Sequence, residues 1–313
     1  MPIRRARGET DMSTTAATLP LIAAPRGRAY ARRYWMFAVP AAVIVVAVIL
    51  FPWAFTLFMS VHDWKVTGAT PYVGLANYAK MLSDDRFQWA VIRTIVFTAA
   101  SVAAPMLLGT WAAVCFAAKF RLRGLARTIF VLPMMATPVA IALVWTMMFH
   151  PQLGVLNYVL TSLGLPPSAW VYDSRTVIPT LVMVETWQWT PLVMLIVLGG
   201  IASLPQDPYE AAFIDGANAW QMFRHITLPL VWPFLMVAAV IRLIDALKTF
   251  DTIYVITLGG PGTSSETLNI LLYQTAFAYY DLGYGSAMVV VFFVLILLIS
   301  LLLLKFRQRE AWR

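Results

Sequence analysis

Apolar residues along this chain gather into six long runs separated by polar connections: 35–60, about 91–118, about 125–149, about 177–202, 228 to about 256, and 286–304. A bilayer core about 30 Å thick is crossed by about 20 apolar residues in helical form, so each run is long enough to span it. The second run carries Pro105, which a membrane helix tolerates when neighbouring helices re-satisfy the freed backbone groups. Charged residues interrupt the second half of the fifth run, whereas the sixth carries none. The pattern predicts an all-α membrane protein with six transmembrane helices.

Basic residues orient the runs. Arg4, Arg5, Arg7, Arg26, Arg28, Arg32 and Arg33 precede the first, Lys119, Arg121, Arg123 and Arg127 flank the turn between the second and third, and Lys305, Arg307, Arg309 and Arg313 follow the sixth. The opposite connections, 61–90, 150–176 and 257–285, hold only Lys65, Lys80, Arg86 and Arg175. By the positive-inside rule both termini are expected in the cytoplasm. Residues 1–33 are rich in Arg, Ala and Thr without apolar periodicity, which predicts a disordered cytoplasmic tail before a transmembrane domain at 34–313, with Met12 an alternative start. The first run is too long for a cleaved signal peptide and no small-residue cleavage pattern closes it. The stretch 263–281 mixes Leu268, Leu271, Leu272, Phe277 and Tyr280 with polar residues, predicting an amphipathic element over the outer mouth.

Composition agrees: 60% of residues are apolar and 12% charged, against about 25% charged in soluble domains. The net charge of +8 sits at the ends of apolar runs, so it reports orientation rather than nucleic-acid binding. Cys115 lies inside an apolar run and is expected to be inert packing. His62, His150 and His225 are far apart without paired ligands, so no metal site is expected. The Gly-rich run 259–263 lacks the lysine of a phosphate-binding loop and falls on the outer side, and no catalytic constellation is present, so the chain is not expected to be an enzyme.

The connection at about 203–227 is unlike a loop. Ser203 is placed to cap a first turn, and Pro208 to Ile214 read as a short helix with its acids near the positive N-terminal end. Gly216 permits a tight turn, and a second short helix follows through Trp220, Met222 and Phe223, ending before Pro229. Two readings stand: an amphipathic pair resting on the membrane surface, or a docking site for another protein.

Glu185, Arg242, Asp245, Lys248 and Asp251 lie within the runs, where charge facing lipid costs several kcal/mol, so they must face protein or a wet cavity. Arg242, Asp245 and Lys248 stand three apart on one helix face and either neutralise one another or mark a pathway. Trp187 and Trp189 are either packing or, with Glu185 and Gln188, the mixture of flat rings and hydrogen-bonding groups that suits sugars. Lys248 also suits an anionic group.

Glu210-Ala211-Ala212, Asp215-Gly216-Ala217 and Ile226-Thr227-Leu228-Pro229 resemble the EAA motif of ABC importer permeases. Glu185-Thr186-Trp187-Gln188-Trp189-Thr190-Pro191, Leu247-Lys248-Thr249-Phe250-Asp251 and Thr257-Leu258-Gly259-Gly260-Pro261-Gly262 resemble the carbohydrate branch, of maltose and glycerol-phosphate type, over roughly Tyr34 to the C-terminus. The resemblance implies six helices in a type I importer arrangement in the bacterial inner membrane, with a cytoplasmic coupling-helix pair in which Glu210, Ala211, Ala212, Asp215 and Gly216 meet the ATPase. It implies a sister permease forming a heterodimer, a dimer of cytoplasmic ATPase subunits holding ATP and Mg, no cofactor in this chain, and a periplasmic or lipid-anchored substrate-binding protein. The substrate implied is a sugar or polyol moved by alternating access. The helices flanking the EAA segment imply a substrate site of Glu185, Thr186, Trp187, Gln188, Trp189, Asp245, Lys248, Thr249, Asp251 and Tyr254. The chain differs from the maltose-type subunit in having neither its extra N-terminal helices nor its large outer domain, which leaves substrate size open. The alternative is an ion-coupled secondary transporter with Asp245 and Asp251 as cation sites; such a protein is expected to show inverted repeats, and no internal repeat is present in the sequence.

Overall fold

A computed structural model of the chain describes residues 27–64, 68 and 70–310. The choice between Met1 and Met12 and most of the expected disordered tail fall on residues 1–26, outside the described residues. Helix α1 (Gly27–Val45) covers the last residues assigned to that tail and passes through a π-helical turn, Val46–Leu50, into α2 (Phe51–Ser60). Residues Met1–Trp53 and Ala54–Arg313 form two compact units. In the first, the side chains from Val43 to Phe51 are exposed and apolar all round, as a helix facing lipid or another protein requires.

The second unit contains α3 (Ala76–Ser83), α4 (Asp85–Ala117), α5 (Arg123–Met135), α6 (Pro138–Met148), α7 (Val155–Ser162), α8 (Val177–Ala202), α9 (Asp207–Ile214), α10 (Ala219–Met222), α11 (Leu228–Lys248), α12 (Asp251–Thr257), α13 (Leu268–Tyr273) and α14 (Leu282–Glu310). Among the described residues the sole β feature is an isolated bridge between His62 and Tyr72. Helix α8 packs against α4, α5 and α11. Val193, Met194 and Val197 of α8 meet Ala112 and Ala113 of α4 and Val231, Leu235 and Ala238 of α11. Between membrane helices such packing replaces the hydrophobic drive, and small residues let backbones approach. Gly109 shows this directly: a Cβ there would stand 2.6 Å from the Val193 Cβ, so any side chain would push α4 off α8. At the start of α4, Asp84 accepts hydrogen bonds from the Arg86 and Phe87 amides and caps the helix.

Proline and polar residues make the structure depart from the runs. The third run is not one straight helix: α5 and α6 bend by 96° at Ala136 and Thr137. Both residues are extended, and Pro138, which has no N–H and disfavours a helical predecessor, opens the new helix. The described residues thus hold five continuous candidate spans, or six if the bent pair is one. The fifth run also breaks: α11 stops at Lys248 and α12 restarts at Asp251. The second short helix does not end before Pro229. It begins with a reciprocal cap between Asn218 and Gln221 and widens into a π-helical turn, Phe223–Thr227, that delivers the Leu228 amide to the Phe223 carbonyl. Pro229 then sits inside a continuous 30-residue helix, Ala219–Lys248. Ser203 does not cap α9; its hydroxyl donates to the Gly200 carbonyl at 2.7 Å and closes α8. In the stretch 263–281, α13 buries Leu268 and Leu271, but the amphipathic division is not kept: Glu266, Thr267 and Thr275 are buried too, and Phe277 and Tyr280, expected with the leucines, are exposed.

Candidate functional site

Helix α8 places Glu185, Gln188 and Trp189 one turn apart on one face, and the two polar side chains are 2% and 1% exposed. Facing them, Arg242 of α11 is fully buried. Its Nη2 donates to Glu185 Oε2 at 3.2 Å and to the Ser101 carbonyl of α4 at 3.3 Å, and its guanidinium lies 4.9 Å from the Trp189 ring centroid. Thr252, in the first turn of α12, donates to the other Glu185 oxygen at 3.3 Å. Three helices therefore converge on one carboxylate. Arg242 does not neutralise Asp245 and Lys248 along its own helix, because its partner is across the bundle.

The break between α11 and α12 is held open by a remote residue. Asn269 of α13 donates to the Leu247 carbonyl at 2.9 Å and the Thr249 carbonyl at 3.3 Å, satisfying acceptors that the end of α11 orphans. The unwound Thr249 and Phe250, with Lys248, Asp251 and Thr252, then open onto a cleft of about 290 Å³. Pro138, at the start of α6 and just past the 96° bend, lines it as well. Both helix breaks thus border the same space. The cleft carries three carboxylates, Glu185, Asp245 and Asp251, and two cations, Arg242 and Lys248. Among the described residues Asp245, Lys248 and Asp251 form no ion pair. Gln188 Oε1, Arg242 Nε and Arg242 Nη1 are buried with no hydrogen-bond partner among the described residues.

The helix pair lies at the other end of α8 and α11, about 20–25 Å from Glu185 and Arg242 at 1.5 Å per residue. Gly216 turns the chain at φ +77°, where an L side chain is strained. Tyr209 donates to the Thr227 hydroxyl at 3.0 Å and ties α9 to the π-helical turn. Glu210, Ala211, Asp215 and Gly216 are exposed and Ala212 half-buried. Beside them Phe213 and Ile214 are 76% and 84% exposed, an apolar tip.

The sequence profile of binding-protein-dependent transport system inner membrane components matches residues 105–311. The chain belongs to this family. It is 36% identical over 275 residues to the trehalose/maltose transport system permease protein MalF of Thermococcus litoralis, covering 87% of this chain and 92% of that protein. It is 33% identical over 269 residues to the sulfoquinovosyl glycerol transport system permease protein SmoG of Agrobacterium fabrum, covering 85% and 87%. Its fold matches a chain of a bacterial ABC transporter involved in import of the acidic polysaccharide alginate, with TM-score 0.79 and 22% identity over 91% of this chain and 99% of that one. The chain is an inner-membrane permease subunit of the ABC type, and nothing in these relatives supports the ion-coupled alternative.

Of the ten residues the resemblance implied for the substrate site, the permease brings seven to the cleft: Glu185, Gln188, Trp189, Asp245, Lys248, Thr249 and Asp251. The other three lie off it. The Thr186 hydroxyl is engaged with the Val182 carbonyl, and Trp187 meets Trp145 edge-on with ring centroids 5.6 Å apart. Tyr254 stacks on Phe250 at 5.0 Å, one ring behind the lining. Arg242, Phe250, Thr252 and Pro138 line the cleft without having been singled out as substrate residues. Arg242 carried a legible signal, a charge within an apolar run; Thr252 and Pro138 carried none.

Proposed function

We propose that this permease moves a sugar or polyol into the cytoplasm through the cleft between α6, α8, α11 and α12, by alternating access driven from outside the chain. A dimer of cytoplasmic ATPase subunits, holding ATP and Mg, docks on α9 and α10 through Glu210, Ala211, Ala212, Asp215 and Gly216. A sister permease completes the pathway as a heterodimer, a periplasmic or lipid-anchored binding protein delivers the substrate, and both termini face the cytoplasm. Alternating access needs a bistable element, and two broken helices at one cleft supply hinge points.

The observation that carries this reading is the cleft itself. Lys248, Asp245 and Asp251 line one cleft with the aromatic ring of Trp189 and form no ion pair among the described residues, and charge within an apolar run is tolerated beside such a cavity. Rings meet the C–H faces of sugars while carboxylate, amide and ammonium groups meet hydroxyls. Three carboxylates against two cations leave no positive excess, which favours a neutral polyhydroxyl compound over an anion. Relatives named for trehalose, maltose and sulfoquinovosyl glycerol transport support a carbohydrate-like substrate.

The test is uptake and ATPase activity of the assembled complex in proteoliposomes, with binding protein, across a panel of disaccharides and polyols. Asp245→Asn and Lys248→Met are expected each to raise the half-saturating substrate concentration about tenfold, the loss of one charge-assisted hydrogen bond, with assembly intact. Uptake that persists without ATP and follows an ion gradient would overturn the reading.

A further inference from the structure

The two helix breaks at the cleft have different causes. Between α5 and α6 the cause is local, Pro138. Between α11 and α12 it is not: Leu247-Lys248-Thr249-Phe250-Asp251-Thr252 contains neither proline nor glycine, and a helix without them kinks sharply where another group enters its i→i−4 ladder. In an unbroken helix the Leu247 and Thr249 carbonyls would accept from the Asp251 and Ile253 amides. Here both accept from one atom, Asn269 Nδ2, at 2.9 and 3.3 Å. A primary amide carries two N–H groups on one nitrogen, so a single side chain takes the place of two helical hydrogen bonds.

Asn269 is itself held. The Leu268 amide beside it donates to Thr94 Oγ1 of α4 at 2.8 Å in a buried contact, and Leu268, Ile270 and Leu271 are buried. Ile270 shares a core cluster with Ile253 and Ile256 of α12. The half-buried amide therefore reaches the break from a firm base. What the break achieves is visible at Glu185. Thr252 follows Arg242 by ten residues, about 15 Å along an unbroken helix, yet the two side chains reach the two oxygens of one carboxylate, Thr252 at 3.3 Å and Arg242 at 3.2 Å. An unbroken helix would hold them at opposite ends of that length; the break lets both serve one group.

We infer that Asn269 is a positioning residue for transport: by holding the α11–α12 break it keeps Thr252 on Glu185 and Asp251 at the substrate cleft, without itself touching the transported molecule. The inference rests on the sugar-transport reading given above. Asn269 is not among the residues that line the cleft, so its effect on substrate affinity passes through the break. A purely structural clasp would lower stability alone, whereas a positioning clasp lowers affinity.

The first measurement needs no substrate. Hydrogen–deuterium exchange of the solubilised complex, with its partner subunits, is expected to quicken about tenfold at residues 247–252 in Asn269→Leu, with exchange along α8 unchanged. The second is uptake in proteoliposomes with binding protein, using trehalose, maltose and sorbitol as probes. Asn269→Leu should raise the half-saturating concentration of whichever probe is carried about five- to tenfold, with the saturated rate within about twofold of the intact complex. Thr252→Val alone should raise it about threefold, and adding it to Asn269→Leu should change nothing further, because Thr252 has already left Glu185. Unchanged exchange at 247–252 would overturn the proposal whatever the complex carries. A lower melting temperature with unaltered half-saturation would overturn it too, leaving Asn269 a structural clasp, and so would additive effects of the two substitutions, which make the residues independent. Quickened exchange in a complex that carries none of the probes would keep the hold on the break and overturn the choice of substrate instead. If Asn269→Leu does not assemble, Asn269→Ser, which keeps one donor, carries the same readouts at about threefold.

Discussion

Two arginine–glutamate pairs hold this permease, and they are built differently. Arg86 at the start of α4 and Glu266 before α13 form a fork: Nε donates to Oε1 at 2.9 Å and Nη2 to Oε2 at 2.8 Å. The same guanidinium reaches Gln274 at 2.6 Å and Tyr279 at 3.4 Å, and with its side chain 35% exposed it also meets solvent. Arg242 and Glu185 have a single contact at 3.2 Å, complete burial, and two guanidinium nitrogens with no partner among the described residues. The first pair is saturated and staples the connection 257–285 to α4. The second is under-satisfied and borders the cleft: it joins α8, α11 and α12 while two guanidinium nitrogens have no partner among the described residues. A bidentate, satisfied pair reads as structure, whereas a buried pair with unused donors beside a cavity reads as a site where contacts change.

The difference can be broken most forcefully at the buried pair. Arg242→Met removes the cation facing the buried Glu185 and leaves that carboxyl only the Thr252 hydroxyl, and is expected to cost about 3–5 kcal/mol, measured as loss of thermal stability of the solubilised complex. The double variant Arg242→Met/Glu185→Leu should recover much of that stability and still fail in uptake, which separates holding the helices from handling substrate. Arg86→Gln should cost less, about 2–3 kcal/mol, because the charge-assisted donors are lost from a buried carboxylate while the replacing amide can still donate one hydrogen bond to it. Its effect should appear in proteolysis of 257–285 rather than in substrate affinity. Thr252→Val removes only the second hold on Glu185 and is expected to cost about 1 kcal/mol. A change larger in uptake than in melting temperature would sharpen the view that α12 moves during transport.

Much of the fold was legible because a bilayer imposes simple demands on a chain. The ends of α8 match the fourth apolar run residue for residue, since nothing in it conflicts with a straight helix apart from Pro191, which neighbouring helices accommodate. Helix α9 and the turn at Gly216 were equally readable, because proline at a helix start and glycine at positive φ are local requirements. The cleft was half legible. Charges within apolar runs pointed to Glu185, Asp245, Lys248 and Asp251, but the spacing of Arg242, Asp245 and Lys248 left open whether they neutralise one another or mark a pathway. Arg242 chose a partner 57 residues away instead. Trp187 and Tyr254 share local motifs with cleft residues yet turn toward other rings, because one step along a helix rotates a side chain by about 100°.

The sequence by itself determined the apolar spans, their basic ends and the helix pair with its glycine turn, because each is a local response to hydrocarbon, to charge asymmetry or to backbone sterics. Only the tertiary structure decided where the third and fifth runs break, which arginine meets which glutamate, and which charges share a cavity. The break at Thr249 persists because Asn269, 20 residues further on, accepts the role of donor to its carbonyl, and Glu266 is paired by a residue 180 positions away. Such pairings are satisfied across space, and a buried polar group takes whichever partner the packing brings within reach.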